Sequence, residues 1–279
     1  MKKSILLAAM AFSVSGAFAQ IKMPAPSPTQ TIRQDFALGQ IEVTYSRPNA
    51  KGRTIFGNLV PYDSVWRTGA NNATRIKFTD AVEIGGKKID TGTYAIYTIP
   101  HKKGDWEIIL NKGVNNWGST GYKASDDVVR VTVPSFKVPD TETFTISFVD
   151  VQYEKCGLQF SWAKTGVILP IASPVKDRVK AQIEKAMASD KKPYWQAANF
   201  YYEWDKDLDK ALPAVTSAIE EMEQKGQKPF YMYMLKAKIQ RDKGDKAGAK
   251  ASATKCIEMA KLARNADYVK LGTDLISSL

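Results

Sequence analysis

Five cations, Arg47, Lys51, Arg53, Arg67 and Arg75, fall in one stretch of the chain that holds a single acid, Asp63. Guanidinium groups offer planar, forked donors that match carboxylate or phosphate. Tyr45, Phe56, Tyr62 and Trp66 are interleaved with them, and Asn71 and Asn72 lie close by. Aromatic faces suit sugar rings and amides pair with hydroxyls, so the pattern points to a binding site for an anionic or glycan-like ligand. The side chains expected to line it are Arg47, Lys51, Arg53, Tyr62, Trp66, Arg67 and Asn71, joined by Trp117. A purely structural scaffold competes with this reading, because arginine stems also pack on aromatics and Arg–Asp pairs can pin an irregular loop. The charge is local: residues 20–171 hold 18 basic and 14 acidic side chains, an excess that this one stretch supplies in full.

No residue is assigned a catalytic role, and neither a cofactor nor a metal is expected. His101 is the only histidine of the chain, and its place in Pro100-His101-Lys102-Lys103-Gly104 predicts a solvent-exposed turn residue, which removes most His-based nucleophile pairs and zinc sites. Ser161-Trp162-Ala163-Lys164 and Lys164-Thr165-Gly166 imitate motifs of penicillin-binding enzymes, but they overlap and Ser161 alternates along a strand. Asp205, Asp207 and Asp209 imitate a calcium loop, but Lys210 stands where glycine is needed, so they read as a turn that caps the next helix. The alternative enzymatic reading is a hydrolase using Asp126 or Asp127 near Trp117, since glycoside chemistry needs only two carboxyls.

The elements that must position these residues divide the chain. Lys2 and Lys3, an apolar stretch and Ala17-Phe18-Ala19 predict a signal peptide over residues 1–19, with a mature chain starting at Gln20. No later apolar run is long enough to span a bilayer, so a soluble periplasmic or extracellular protein is expected. Pro24, Pro26 and Pro28 make residues 20–31 a linker or an arm on a sheet edge. From Ile41 onward apolar residues alternate, as in Ile41-Val43-Tyr45, Phe144-Ile146-Phe148 and Leu158-Phe160-Trp162, with Gly-rich turns between runs. Eight or nine short antiparallel strands, arranged as a β-sandwich or jelly-roll-like module over residues 32–171, are the expectation.

At Ser173-Pro174 the period becomes helical and stays so to the C-terminus, giving an all-α hairpin module over residues 172–279 and an α+β, multi-domain chain. Ala211, Ala218, Ala249, Ala253 and Cys256 sit where the tetratricopeptide repeat packs its helices closely, and Trp195 and Tyr202 where it carries large residues. The spacing exceeds that repeat's usual length, so the resemblance is to a degenerate form that would present a protein partner with a docking face.

Tyr45-Ser46-Arg47-Pro48, Lys51-Gly52-Arg53, Ile55-Phe56-Gly57, Leu59-Val60-Pro61-Tyr62, Trp66-Arg67-Thr68-Gly69-Ala70-Asn71, Gly92-Thr93-Tyr94 and Trp117-Gly118 resemble the signature of domain-of-unknown-function family twenty-nine eleven. The resemblance covers roughly Pro26 to Phe136. It implies an exported protein of the kind found in Bacteroidetes and relatives, and carries no catalytic residues over. The net charge of +11 is spread over both halves apart from the Arg47–Arg75 stretch, which argues for solubility and against nucleic acid as a partner. Cys156 and Cys256 fall in different modules and are expected to stay unpaired.

Overall fold

The structure, a computed structural model, describes residues 23–279. The expected signal peptide and its cleavage site lie outside the described residues. Ten strands come first: β1 (Thr29–Phe36), β2 (Gly39–Ser46), β3 (Thr74–Phe78), β4 (Val82–Ile84), β5 (Lys87–Ile89), β6 (Gly92–Ile99), β7 (Trp106–Asn111), β8 (Asp127–Val133), β9 (Phe136–Val149) and β10 (Lys155–Ala172). They form a six-stranded sheet of order β1-β2-β3-β6-β7-β8 and a four-stranded sheet of order β5-β4-β10-β9, antiparallel throughout. The two sheets enclose one core, in which Tyr45 of the first meets Phe144 of the second edge-on at 5.8 Å.

Alternation explains which face is buried. On β2, Ile41, Val43 and Tyr45 turn inward. On β10, Leu158, Phe160 and Trp162 are buried and then Val167, Leu169 and Ile171, a change of parity. Register shifts between Ser161 and Thr165, with Ala163 at φ 49°, absorb that change, so both halves of an 18-residue strand face the same core. Gly85 and Gly86 both have positive φ, as a two-residue hairpin between β4 and β5 requires.

The linker expected over residues 20–31 ends sooner than predicted. β1 begins at Thr29 as the edge strand of the larger sheet, and the Pro28 carbonyl already accepts from the Arg47 amide at 2.9 Å. Its inward-facing positions include Gln30 and Gln34, so the segment carries no clear apolar alternation. The long irregular stretch from Pro48 to Asn72 packs on the same core. It sends Ala50, Ile55, Val60 and Trp66 into the sandwich core.

Six α-helices follow: α1 (Val175–Met187), α2 (Tyr194–Phe200), α3 (Leu208–Gln224), α4 (Phe230–Asp242), α5 (Lys246–Leu262) and α6 (Ala266–Ser277). Pro174 stands at the N-cap of α1. Asp207 caps α3 by accepting from the Lys210 amide at 3.0 Å, the role expected of that acidic turn. Ala211, Ala218, Ala249, Ala253 and Cys256 are all buried, which lets the helices approach closely. The helical half joins the sandwich through Arg178, which donates to Asp80 at 2.9 Å, and through the Tyr153 and Trp204 rings, whose centroids lie 5.0 Å apart. Among the described residues no helix is long and apolar enough to cross a membrane.

Candidate functional site

The structure separates the eight residues predicted to bind a ligand. Trp66 is core: its ring stacks on Trp162 at 5.8 Å, meets Phe144 at 5.2 Å, and its Nε1 donates to the Gly69 carbonyl at 3.1 Å. Arg47 reaches across to the other sheet, where Nε donates to the Phe144 carbonyl and Nη2 to Thr145 Oγ1, at 3.2 and 2.9 Å. Arg53 folds back on its own loop and donates to the carbonyls of Ala50 and Asn49. Tyr62 covers Gly57, where a Cβ would lie 2.5 Å from its ring. The Lys51 amide is held by Glu142 at 2.8 Å, at the far side of the same loop. The Arg47 and Arg53 guanidinium groups are therefore fixed by backbone carbonyls and the Thr145 hydroxyl rather than by the Arg–Asp pairs that a structural loop was expected to use, while Lys51 is held only through its backbone amide.

Arg67 and Trp117 behave differently. Trp66 and Thr68 point into the sandwich, so Arg67 between them faces the outer side of the six-stranded sheet. There the loop after β7 closes over it: the Gly118 amide donates to the Asn71 carbonyl at 3.0 Å and the Ala73 amide to the Asn116 carbonyl at 3.2 Å. Gly118 has φ 66°, and a Cβ on it would lie 3.9 Å from both Cδ and Nη1 of Arg67. The Arg67 Nε is buried with no hydrogen-bond partner, and the guanidinium makes no ion pair among the described residues. Burial pushes its pKa down, the direction expected of a cation without compensation. Trp117, next to Gly118, is 67 % exposed. Asn71 donates to Ser46 Oγ at 3.2 Å and to the Ser27 carbonyl, so it ties the N-terminal arm down, while Asn72 stays exposed beside it.

His101 departs from its predicted exposure. Only 27 % of its side chain is accessible, because the ring bridges Asp63 of the long loop and Glu107 of β7. The chain of contacts continues. Glu107 accepts from Arg130 at 2.6 Å, Arg130 donates to Asp127 at 3.0 Å, and Asp127 also accepts from Tyr122 at 2.9 Å and Asn111 at 2.8 Å. The Asp63 hydrogen bond raises the His101 pKa above its ordinary value. Burial and the Asp127 hydrogen bond push the Tyr122 hydroxyl up to about 12. Asp127 spends both carboxylate oxygens inside this network, so this one of the two carboxyls considered for hydrolysis holds β8 to the loop above it. Sequence reading missed the network because its members come from two strands, β7 and β8, and three separate loops, which only the tertiary fold brings together.

The chain matches the family described as "Protein of unknown function (DUF2911)" over residues 27–171. It belongs to that family. The match takes in β1 to β9 whole and β10 up to its penultimate residue, Ile171, extends past the expected end at Phe136, and includes every residue of the candidate site. No curated protein and no solved structure matches the chain.

Two further features bear on binding. A cavity of about 590 Å³ lies where the sandwich meets the helices, walled by Leu38, Tyr153, Val179, Trp195, Phe200 and Trp204. Among the described residues no group of three or more His, Cys, Asp or Glu side chains is placed to hold a metal ion.

Proposed function

We propose that this protein is an exported, non-catalytic binding protein of the cell envelope whose sandwich takes an anionic or glycan-like ligand at Arg67, Asn72 and Trp117. The observation that carries the reading is the Arg67 guanidinium, half-buried with no acceptor of its own. Buried polar groups are almost always hydrogen-bonded, and each exception asks for a partner. An anion at this position supplies acceptors and charge together, and the exposed Trp117 face offers a platform for a sugar ring. Export rests on the Lys2-Lys3 start and the Ala17-Phe18-Ala19 cleavage pattern. N-terminal sequencing of protein recovered from the envelope fraction should begin at Gln20.

A thermal-shift series with sugar acids and sugar phosphates tests the site, with Arg67→Ala beside the native chain. A ligand at 100 times its Kd adds about 2.7 kcal/mol to the folded state. A shift that vanishes in Arg67→Ala supports the reading, and a shift that survives puts the site elsewhere. The helical half is read as the seat of a protein partner on the aromatic groove around Trp195 and Trp204. Support for this part is the exposure of Leu38 and Tyr153 on that groove's rim. Trp195→Ala should weaken partner cross-linking and leave the Arg67-dependent thermal shift in place.

A further inference from the structure

The outer face of the six-stranded sheet continues the Arg67 site beyond the length of a single ring. On β3, Ile76 is buried in the sandwich, so Arg75 and Lys77 on either side of it both stand on the outer face, about 7 Å apart along the strand. The register places Arg75 between Thr44 and Ala95, and Lys77 between Glu42 and Thr93. Neither cation has an acidic partner within ion-pair reach among the described residues. The one carboxylate beside them, that of Glu42, is taken by Arg33, whose Nε donates to it at 2.6 Å.

Two shallow depressions lie along this line. One of about 110 Å³ is lined by Thr29, Thr44, Ser46, Asn71, Asn72 and Arg75. The next, about 200 Å³, is lined by Glu42, Thr44, Arg75, Lys77 and Thr93. They share Thr44 and Arg75 and so form one furrow, with a bank of paired hydroxyls, Thr31 with Thr44 at 2.9 Å and Thr29 with Ser46 at 3.4 Å. From Asn72 to Lys77 the strand rises about 17 Å.

Resting on the reading of Arg67 and Trp117 as a binding site, we propose that the ligand is an extended acidic oligosaccharide laid along this furrow, its first ring at Trp117 and its further acid groups at Arg75 and Lys77. Hydroxyl and amide walls suit sugar hydroxyls. Cations repeated along a strand suit acid groups repeated along a polymer, and the furrow is too open and too polar to enclose an apolar ligand.

Isothermal titration of the chain from Gln20 onward with trigalacturonate, galacturonate, maltotriose and tripolyphosphate tests this. The trimer is expected to bind at least ten-fold more tightly than the monomer, with maltotriose and tripolyphosphate weaker than the trimer. Arg75→Ala combined with Lys77→Ala should bring the trimer down to the affinity of the monomer, in a variant whose unfolding midpoint shows it folded. Equal affinities for trimer and monomer overturn the furrow and leave the single-ring site standing. Maltotriose matching the trimer overturns the need for acid groups, and tripolyphosphate matching it, with the same loss in the double variant, overturns the sugar. No binding by any of the four overturns the Arg67 reading as well.

Discussion

Replacing Arg67 by methionine should cost the fold nothing, whereas the same change at Arg47 should be expensive. Both arginines lie half-buried in the same sandwich, but only one has partners. A buried donor left unsatisfied costs roughly 1–3 kcal/mol, which is the position of the Arg67 Nε in the native chain. Methionine keeps the unbranched stem and its packing while removing that donor. With the other guanidinium nitrogens partly reaching water, the expected change runs from zero to a gain of about 1 kcal/mol. Arg47 donates at 3.2 and 2.9 Å to two acceptors on β9. Charged hydrogen bonds contribute about 1.5–3 kcal/mol each when buried, and partial exposure reduces the pair to a loss of about 2 kcal/mol. For a domain of this size that loss lowers the unfolding midpoint by about 4–8 °C. Urea unfolding followed by tryptophan fluorescence reads both variants, since Trp66, Trp106 and Trp162 lie in the sandwich core. If Arg67→Met loses as much stability as Arg47→Met, the guanidinium is a structural part of the loop and the binding site built on it falls.

Three further outcomes are expected. Asp63 and Glu107, the charged groups facing His101, favour its protonated form in the folded chain, so its pKa lies above the unfolded value. That stabilisation is whole below about pH 6.5 and is lost as pH rises through the folded pKa, so the stability gap between native chain and His101→Gln should narrow as pH rises above about 6.5, and a gap independent of pH would refute an ionic role. Burial pushes the Cys156 and Cys256 thiols up to about 11 each. Ellman's reagent at neutral pH should therefore find no reactive thiol in the native chain and two after denaturation without reductant, while fewer than two would reveal a disulfide. Gly272 lies inside α6, where a Cβ would come 2.7 Å from Ile257 Cγ1 and 3.2 Å from the Ala253 carbonyl. Gly272→Val should cost about 1–3 kcal/mol by forcing α6 off α5, although valine is the better helix former; an unchanged midpoint would mean that α6 does not pack as closely as its backbone indicates.

Periodicity in the chain was enough to place most of the strands and the switch to helices after Ser173. Alternation and 3.6-residue spacing are local properties, and burial of one face follows from them whatever the topology. The small residues of the helical half were legible for the same reason: Ala211, Ala249 and Ala253 lie on one face of their helices, and all three are fully buried. Local composition also picked out the stretch from Arg47 to Arg75 as unusual, and residue types alone could say which ligands its cations and aromatics would suit. What the chain could not reveal was the direction of each side chain in a stretch without period. Trp66 and Arg67 are neighbours in sequence, yet one stacks on Trp162 in the core and the other lies beneath Gly118 on the opposite face. That division depends on contacts between residues far apart in the chain, such as Arg47 with Phe144 and Gly118 with Asn71. The His101 network and the furrow at Arg75 and Lys77 have the same origin. Strand order and register bring their members together, and neither is encoded in the spacing of any single segment.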